Sequence, residues 1–400
     1  MRDVKVLASS GNEMIAHAFR QVDPDVVAAY PITPQTIIVE RFAKFVADGL
    51  VHTEYVQVES EHSAMSASIG ASAAGARAAT ATASQGLAYM WELLHVAAGM
   101  RLPIVMANAN RALSAPINIH GDHSDVMGAR DTGWIMLFAE DAQEAYDNTL
   151  IAFKVAEHPD VLLPVMSCLD GFITSHALER CVLNADEDVK EFVGEYKPEH
   201  PLLDTDNPSS HGMFANIGNL YMEAKFAERK AMDCALDHIK AAGNEWAEIT
   251  GRPFEVVKSY GLEDAERVVV AIGSAAGNFR HVARQLREKG EKVGVVNLRV
   301  FRPFPTEDLI KALSGVKALA VLDRADSFGA SQAPLAAEVR ATLYDVEDRP
   351  ATKNYVYGLG GADLTTNMCE QVFEELKAVA ESGKSEPGIH YIGHRTIEEA

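Results

Sequence analysis

The sequence is poor in cysteine, and no two cysteines stand at a metal-binding spacing. Its 400 residues include four cysteines, which lie far apart at Cys168, Cys181, Cys234 and Cys369. Iron–sulfur clusters and structural zinc ions are usually held by closely spaced cysteines, often as CxxC pairs. We therefore expect no iron–sulfur cluster and no metal site on this chain, and four isolated, buried thiols.

The chain also lacks long apolar runs and an excess of basic residues. Lys and Arg number 36 against 57 Asp and Glu, so the formal net charge is −21. Such an acidic chain is not expected to bind nucleic acid or an anionic membrane surface. The first residues, MRDVKVLASSGNE, show neither the apolar core nor the cleavage site of a secretory signal. We expect a cytoplasmic protein.

Predicted strands and helices alternate along the chain, a pattern typical of a parallel sheet covered on both faces. The length suits two or three domains. We expect four parts: an α/β domain over residues 1–185, an irregular connector with a long helix over 186–258, a second α/β domain over 259–385, and a tail over 386–400. In such sheets the functional site lies at the carboxyl ends of the strands.

The most unusual stretch is ESEHSAMSASIGASAAGARAATATASQG, from Glu59 to Gly86. It opens with two carboxylates and continues almost entirely in Ala, Ser and Gly. Residues this small permit close approach of another backbone or of a flat ligand. One interpretation is a tightly packed core helix followed by a short strand. The other places Glu61 at the head of a buried helix where a cofactor docks.

Two further segments follow predicted strands. After the strand 26–30, Thr33 is a good helix N-cap and Pro34 fits the first helical position. Free N–H groups at such a helix start form an anion site, although an ordinary cap explains the pattern equally well. The loop 119–125, IHGDHSD, crowds His and Asp without a familiar metal-ligand spacing. We interpret it as a polar loop at the mouth of a site.

Several motifs occur together in a characteristic order: YPITP at 30–34, SEHSA at 60–64, TASQG at 82–86, NRA at 110–112 and GDHSD at 121–125. As a set they resemble the α subunit of 2-oxoacid:ferredoxin oxidoreductases, in particular that of the pyruvate enzyme. Later, VVNLR at 295–299 and FRPFP at 301–305 resemble the transketolase C-terminal-like domain of that family. The resemblance covers most of the chain.

The resemblance implies the fold and the cofactor. The first α/β domain is expected to be a parallel-sheet domain of the pyrimidine-binding type, which binds thiamine diphosphate, and the second a transketolase C-terminal-like α/β domain. Glu61 is expected to hydrogen-bond the aminopyrimidine, and Ser84, Gln85 and Gly86 to border the cofactor. A carboxylate that favours the imino tautomer makes the cofactor's own exocyclic nitrogen the base that removes the thiazolium C2 proton.

The resemblance also implies the substrate contacts and the reaction. Thr33 and Arg111 are expected to bind the substrate carboxylate, the latter by a charge-assisted bond. Tyr30 and Ile32 are expected to line a pocket for a small side chain. Pyruvate and coenzyme A then give acetyl-CoA and CO2, or the reverse, and electrons pass singly to iron–sulfur clusters.

The motifs that are missing imply partners. The sequence has no GDG followed by a distal Asn for magnesium and diphosphate, and no cluster cysteines. In split-subunit members of the family both lie on other chains. We therefore expect a hetero-oligomer of anaerobic metabolism: a β subunit holding the magnesium and diphosphate half, a ferredoxin-like subunit with [4Fe-4S] clusters, a γ subunit, and ferredoxin as acceptor.

Two alternatives remain open at this point. One is an enzyme of the same family that acts on 2-oxoisovalerate, phenylglyoxylate, oxalate or 2-oxoglutarate. The other is a non-catalytic assembly subunit that retains the fold. A sugar-phosphate transketolase is less favoured, because the diphosphate half of its site is absent.

Overall fold

The structure is a computed structural model that describes residues 4–394. The strands are β1 (Lys5–Ser9), β2 (Val26–Ala29), β3 (Glu54–Gln57), β4 (Ala78–Thr82), β5 (Val105–Asn110), β6 (Ile135–Ala139), β7 (Val165–Asp170), β8 (Glu179–Leu183), β9 (Val257–Tyr260), β10 (Arg267–Ala271), β11 (Val293–Leu298), β12 (Val300–Arg302), β13 (Ala318–Asp323), β14 (Ala351–Val356) and β15 (Ile389–Tyr391). The helices are α1 (Gly11–Val22), α2 (Thr36–Ala47), α3 (Glu61–Ala74), α4 (Ser84–Tyr89), α5 (Trp91–Gly99), α6 (Ser124–Gly128), α7 (Ala142–Ala156), α8 (Asp186–Val193), α9 (Leu220–Thr250), α10 (Ala275–Glu288), α11 (Thr306–Ala312), α12 (Pro334–Leu343) and α13 (Thr366–Ser382), with a 3-10 turn at Leu359–Gly361.

The first sheet has seven strands in the order β12-β6-β7-β5-β4-β2-β3, and all of its pairings are parallel except that of β12 with β6. Every residue of β4, β5, β6 and β7 is buried. Strands buried on both faces are typical of parallel sheets covered by helices. The predicted α/β class with parallel sheets is confirmed. Strand β1 instead pairs with β8 in a separate antiparallel ribbon.

The connection order of this sheet creates a crevice. From β2 the chain moves to β3 on one side, and it then returns to form β4 on the other side of β2. From β4 it continues away from β2 to β5. Ligands of open α/β sheets bind where the strand order reverses, outside the carboxyl ends of the strands. Here that position lies between the ends of β2 and β4.

Helix α3 is the helix predicted from the small-residue stretch, and it packs on β2 and β4. Its N-cap is Ser60, whose hydroxyl accepts the N–H of Ser63. It ends at Gly75 with φ of 103°, a left-handed conformation that favours glycine. The helix therefore begins with Glu61 beside the crevice.

The connector contains α8, an irregular segment, and α9, a helix of 31 residues. The buried residues of α9 recur every three or four positions, which is the spacing of one helix face. They are Ala231, Ala235, Ile239, Ala242, Gly243 and Trp246. This face packs on α7, and the Trp246 indole N–H donates to Asp147 at 2.7 Å.

The second sheet has six strands in the order β15-β14-β13-β10-β11-β9. The short strand β12 lies within this part of the chain but pairs with β6 of the first sheet. Part of the expected tail, β15, pairs in parallel with β14, and residues 395–400 of that tail lie outside the described residues. The domain boundaries themselves stay predictions.

A buried ion cluster joins the two sheets. Glu140, just past β6, accepts hydrogen bonds from Lys258 on β9, from Arg280 on α10 and from Asn297 on β11. Burial alone favours the neutral acid, but Arg280 and Lys258 outweigh it and lower the pKa of Glu140.

Among the described residues, no helix is long and apolar enough to cross a membrane.

Candidate active site

The segment after β2 is fixed by a glutamine. The side-chain amide of Gln35 donates to the carbonyl oxygen of Ala81 on β4 at 2.6 Å, so it joins the two strand ends that flank the crevice. The Gln35 backbone N–H donates to Ile32 O at 2.8 Å and closes a turn over residues 32–35. Tyr30 and Ile32 are half-buried in this segment.

The expected N-cap role of Thr33 is wrong. Helix α2 begins only at Thr36, and its N-cap residue is Gln35, which makes no side-chain cap bond. The turn over residues 32–35 occupies the positions that a Thr33 cap would need. The Thr33 side chain is exposed, and its hydroxyl has no hydrogen-bond partner among the described residues.

The side chain of Arg111, which follows β5, contacts the backbone of Thr33. Its Nη1 donates to Thr33 O at 2.9 Å, and its Nε donates to Asn118 O at 2.8 Å. Arg111 is only 7% exposed, and burial lowers its pKa, opposed by the nearby Asp125 charge. No carboxylate forms an ion pair with its guanidinium among residues 4–394, and Nη2 makes no hydrogen bond there. The structure thus brings Thr33 and Arg111 together. It leaves Nη2 of the buried Arg111 guanidinium without a hydrogen-bond partner in the described chain.

Asp125 organises the strand ends, and sequence reasoning missed it as a site residue. Its buried carboxylate accepts hydrogen bonds from five groups: the N–H of Ser84 (2.9 Å), Arg111 (3.0 Å) and Val126 (2.7 Å), and the amides of Asn108 (3.3 Å) and Asn110 (3.2 Å). Burial nevertheless raises the pKa of Asp125. The end of β4 is thereby tied to the end of β5. The sequence signals were its place in the polar loop and in the GDHSD motif at 121–125.

Ser84 and Gln85 form the start of α4 at the end of β4. Ser84 has a φ of 49°, which is uncommon for a residue with a side chain. Its hydroxyl lies 2.6 Å from Gln85 Oε1 and 2.5 Å from the carbonyl oxygen of Ala112. Since its N–H and hydroxyl are both engaged, Ser84 shapes the crevice without offering a free donor.

Glu61 and Gly86 lie in direct contact across the crevice. A Cβ atom built on Gly86 would stand 2.8 Å from Glu61 Cγ, 2.9 Å from Glu61 Oε1 and 2.5 Å from Thr82 Oγ1. The half-buried Glu61 carboxylate has no hydrogen-bond partner among the described residues, and the buried Thr82 Oγ1 has none either. The site thus holds two polar groups without protein partners next to the same glycine.

The polar loop after β5 contacts the second sheet. Asp170, at the end of β7, accepts from Ser274 N–H at 3.0 Å and lies 2.6 Å from His123 Nε2 and 3.2 Å from Arg324 Nη1. Burial opposes ionisation, but His123 and Arg324 hold the pKa of Asp170 far below its usual range. His123 is therefore engaged with protein groups, in keeping with a polar loop at the mouth of the site.

Residues 17–244 match the family model described as pyruvate flavodoxin/ferredoxin oxidoreductase, thiamine-diphosphate-binding, and residues 265–369 match pyruvate:ferredoxin oxidoreductase core domain II. The chain belongs to the pyruvate flavodoxin/ferredoxin oxidoreductase family. It is 54% identical to the pyruvate synthase subunit PorA of Thermotoga maritima, over 94% of this chain and 95% of that one. It is 47% identical to PorA of Methanocaldococcus jannaschii, over 94% and 96%. It is also 44% identical to the ketoisovalerate oxidoreductase subunit VorA of Pyrococcus horikoshii, over 96% of each chain.

Two solved structures share the fold of this family member. One is 2-oxoglutarate:ferredoxin oxidoreductase from Magnetococcus marinus, at a TM-score of 0.71 and 20% identity; the match covers 94% of this chain and 65% of that one. The other is a split-gene transketolase, at a TM-score of 0.56 and 12% identity, with 94% and 100% covered. The predicted 2-oxoacid:ferredoxin oxidoreductase α subunit is confirmed, with its oxidoreductase class and its thiamine-diphosphate-binding domain. The individual roles of the site residues stay predictions.

Proposed function

We propose that this α subunit supplies the aminopyrimidine half of a thiamine diphosphate site that oxidatively decarboxylates pyruvate. Coenzyme A takes the acyl group, giving acetyl-CoA and CO2, or the enzyme catalyses the reverse reaction. The observation that carries the proposal is the Glu61 carboxylate, which has no partner in the described chain and faces Gly86 at the crevice between β2 and β4.

The surroundings of Glu61 fit a flat heterocycle. A Cβ on Gly86 would obstruct the carboxylate, so glycine keeps the space beside it open. Thr82 Oγ1 is buried without a partner on the same side, and a buried hydroxyl normally has one. When bound, thiamine diphosphate supplies a nucleophilic carbon and an electron sink for decarboxylation. Glu61 contributes a positioned acceptor for a ring nitrogen, and Ser84, Gln85 and Gly86 form the wall opposite it.

Arg111 and Thr33 are the proposed substrate clamp. The Arg111 guanidinium is held by Thr33 O and Asn118 O, which fixes its orientation and leaves N–H groups for a carboxylate. A charge-assisted bond from a buried arginine is stronger than one between neutral groups. The exposed Thr33 hydroxyl adds a second donor at the same place. Together they orient the carboxylate that leaves as CO2.

Tyr30 and Ile32 are the proposed walls around the substrate side chain. Both are half-buried and flank the same turn as Thr33, so they favour a small or apolar group such as the methyl of pyruvate. The similarity to VorA keeps a branched 2-oxoacid as the second candidate. Phenylglyoxylate, oxalate and 2-oxoglutarate are further members of the panel to be tested.

Partner subunits complete the proposed enzyme in the cytoplasm. A β subunit carries magnesium and the diphosphate half of the site, a ferredoxin-like subunit carries [4Fe-4S] clusters, and a γ subunit joins them; ferredoxin accepts the electrons. In support, the four cysteines are free and separate in the structure, with Cys234 half-buried and the other three buried. The isolated chain is accordingly expected to be inactive.

The first experiment is a substrate panel. The complex containing this chain is purified without oxygen, and coenzyme-A-dependent viologen reduction is measured with pyruvate, 2-oxoisovalerate, phenylglyoxylate, oxalate and 2-oxoglutarate. The highest kcat/KM is expected with pyruvate. A higher value with another acid would retain the cofactor site and change the substrate. Activity of the isolated chain would contradict the divided site.

A matched pair of variants tests Glu61. Glu61→Gln in the assembled complex is expected to lower kcat by about 100-fold or more, the range of a lost proton-transfer partner. Glu59→Gln is the control, because the Glu59 carboxylate lies two residues earlier, is exposed and accepts from Ser63 Oγ. Full activity of the Glu61→Gln complex would favour the non-catalytic assembly subunit.

A further inference from the structure

A cluster of metal-ligating side chains lies away from the candidate active site. His158 and Asp160 belong to the turn between α7 and β7, and His238 projects from α9. One donor atom from each lies within 4.8 Å of the other two. This cluster, His158–Asp160–His238, was not expected from the sequence, where its members stand up to 80 residues apart and no metal site was predicted.

The donor separations are close to those that a metal ion requires. Asp160 Oδ2 lies 3.8 Å from His158 Nδ1 and 3.5 Å from His238 Nε2. Bonds of about 2.0–2.1 Å in tetrahedral geometry place ligand atoms about 3.3 Å apart. The two separations from Asp160 exceed that value by about 0.5 and 0.2 Å, and the His158 and His238 donor atoms lie within 4.8 Å of each other, so the three side chains must draw together to bind an ion. The Asp160 side chain is 70% exposed and turns readily, so a metal ion can enter from solvent.

We propose that His158, Asp160 and His238 form a site for a divalent transition metal ion such as Zn²⁺. A set of two imidazoles and one carboxylate binds zinc in preference to magnesium or calcium, which favour oxygen ligands alone. A solvent molecule completes the tetrahedron. The bound ion links the α7–β7 turn to α9, and it thereby fastens the connector helix to the first sheet.

The same groups explain why the site is not a simple ion pair. The two imidazole rings lie 3.7 Å apart between centroids at an angle of 33°, and a second positive charge at that distance is unfavourable. One contact must be given up, because Asp160 N–H donates to His158 Nδ1 at a long 3.2 Å.

Zinc binding to the full-length chain tests the proposal. The purified chain is stripped with a chelator and titrated calorimetrically with ZnCl2, and its thermal unfolding is followed with and without Zn²⁺. We expect one ion per chain and a raised unfolding midpoint. Asp160→Asn and His238→Gln should each weaken binding at least tenfold and abolish the rise in the midpoint. Both replacements lie on partly exposed side chains, so the fold should be retained.

The His52–Asp23 pair supplies the control. His52 Nδ1 lies 2.9 Å from Asp23 Oδ2, and its side chain is 99% exposed, but this pair lacks a second imidazole. His52→Gln should bind Zn²⁺ as the unchanged chain does. Absence of stoichiometric binding to the unchanged chain, or equal affinity in the Asp160→Asn and His238→Gln chains, would overturn the proposal.

Discussion

Replacing Gly86 by alanine perturbs the proposed cofactor site without changing any charge. The added Cβ would stand 2.8 Å from Glu61 Cγ and 2.5 Å from Thr82 Oγ1. Non-bonded carbon atoms attract best at about 3.5–4.0 Å. The Glu61 side chain must therefore retreat by about 0.7 Å or more, since the buried Thr82 cannot easily move.

A displacement of this size should affect catalysis more than folding. A misplacement of about 1 Å can lower a rate by about 100-fold, whereas overpacking a core position typically costs about 1–3 kcal/mol. Gly86 has no left-handed φ, so alanine introduces no backbone strain. We expect kcat of the Gly86→Ala complex to fall by about 100-fold while the chain stays folded.

The assay is coenzyme-A-dependent viologen reduction by the anaerobic complex, together with urea unfolding of the full-length chain. Gly70→Ala on α3, the helix that begins with Glu61, is the control, because nothing in the described chain lies within 4 Å of its Cβ. That replacement should leave activity unchanged and stabilise the helix by about 0.5–1 kcal/mol. A Gly86→Ala complex with activity within twofold of the parent would refute the placement of Glu61 at the cofactor.

Three further outcomes are expected. Arg111→Lys keeps the charge but loses the fork that binds Thr33 O, so KM for the 2-oxoacid should rise about tenfold while KM for coenzyme A stays constant; equal changes in both would contradict the clamp. Asp125→Asn turns an amide donor toward backbone N–H groups in either orientation, those of Ser84 and Arg111 or that of Val126, and should destabilise the chain by about 1–3 kcal/mol in urea; an unchanged midpoint would contradict its organising role. Burial raises the pKa of Asp141, the N-cap of α7, to about 6. Its ionisation in the folded chain therefore lowers the free energy of unfolding as the pH rises from about 4 to 6 and above. The stability of Asp141→Asn relative to the parent should accordingly be greater at pH 8 than at pH 4 by about 2 kcal/mol. A difference in urea midpoints that does not change with pH would contradict this.

Local sequence signals located the helix that begins the site. Ser60 caps α3, the small residues after it pack on β2 and β4, and Gly75 ends it. Each of these features follows from the chemistry of a few neighbouring residues, so a sequence can reveal them. The expectation that the site lies at the carboxyl ends of the strands also follows from the parallel topology.

The errors arose where distant residues decide the local conformation. Thr33 before Pro34 has the local pattern of a cap, but Gln35 bonds to Ala81, which is 46 residues away, and the helix starts later. Strand β12 has only three residues and pairs with β6 more than 150 residues earlier. No rule confined to a short window contains these partners.

Asp125 shows the same limit within the site. From the sequence it is one of two acidic residues in the polar loop 119–125. In the fold it meets donors from the ends of β4 and β5, up to 41 residues away. The carboxylate can accept hydrogen bonds from the ends of both β4 and β5 only because the strand order places these two strands side by side.

The 3-10 turn Leu359–Gly361 of the second α/β domain contacts the loop that follows Arg111. The side-chain amide of Asn118 donates to Gly360 O in the second α/β domain at 2.9 Å, while the backbone carbonyl oxygen of Asn118 accepts from Arg111 Nε at 2.8 Å. Asp122 holds the same turn by accepting Gly360 N–H at 3.0 Å. The second α/β domain therefore holds the loop whose Asn118 fixes the orientation of Arg111. Loosening this contact should weaken binding of the substrate carboxylate more than it slows the chemical step, because Glu61 is held by α3 on the other side of the crevice.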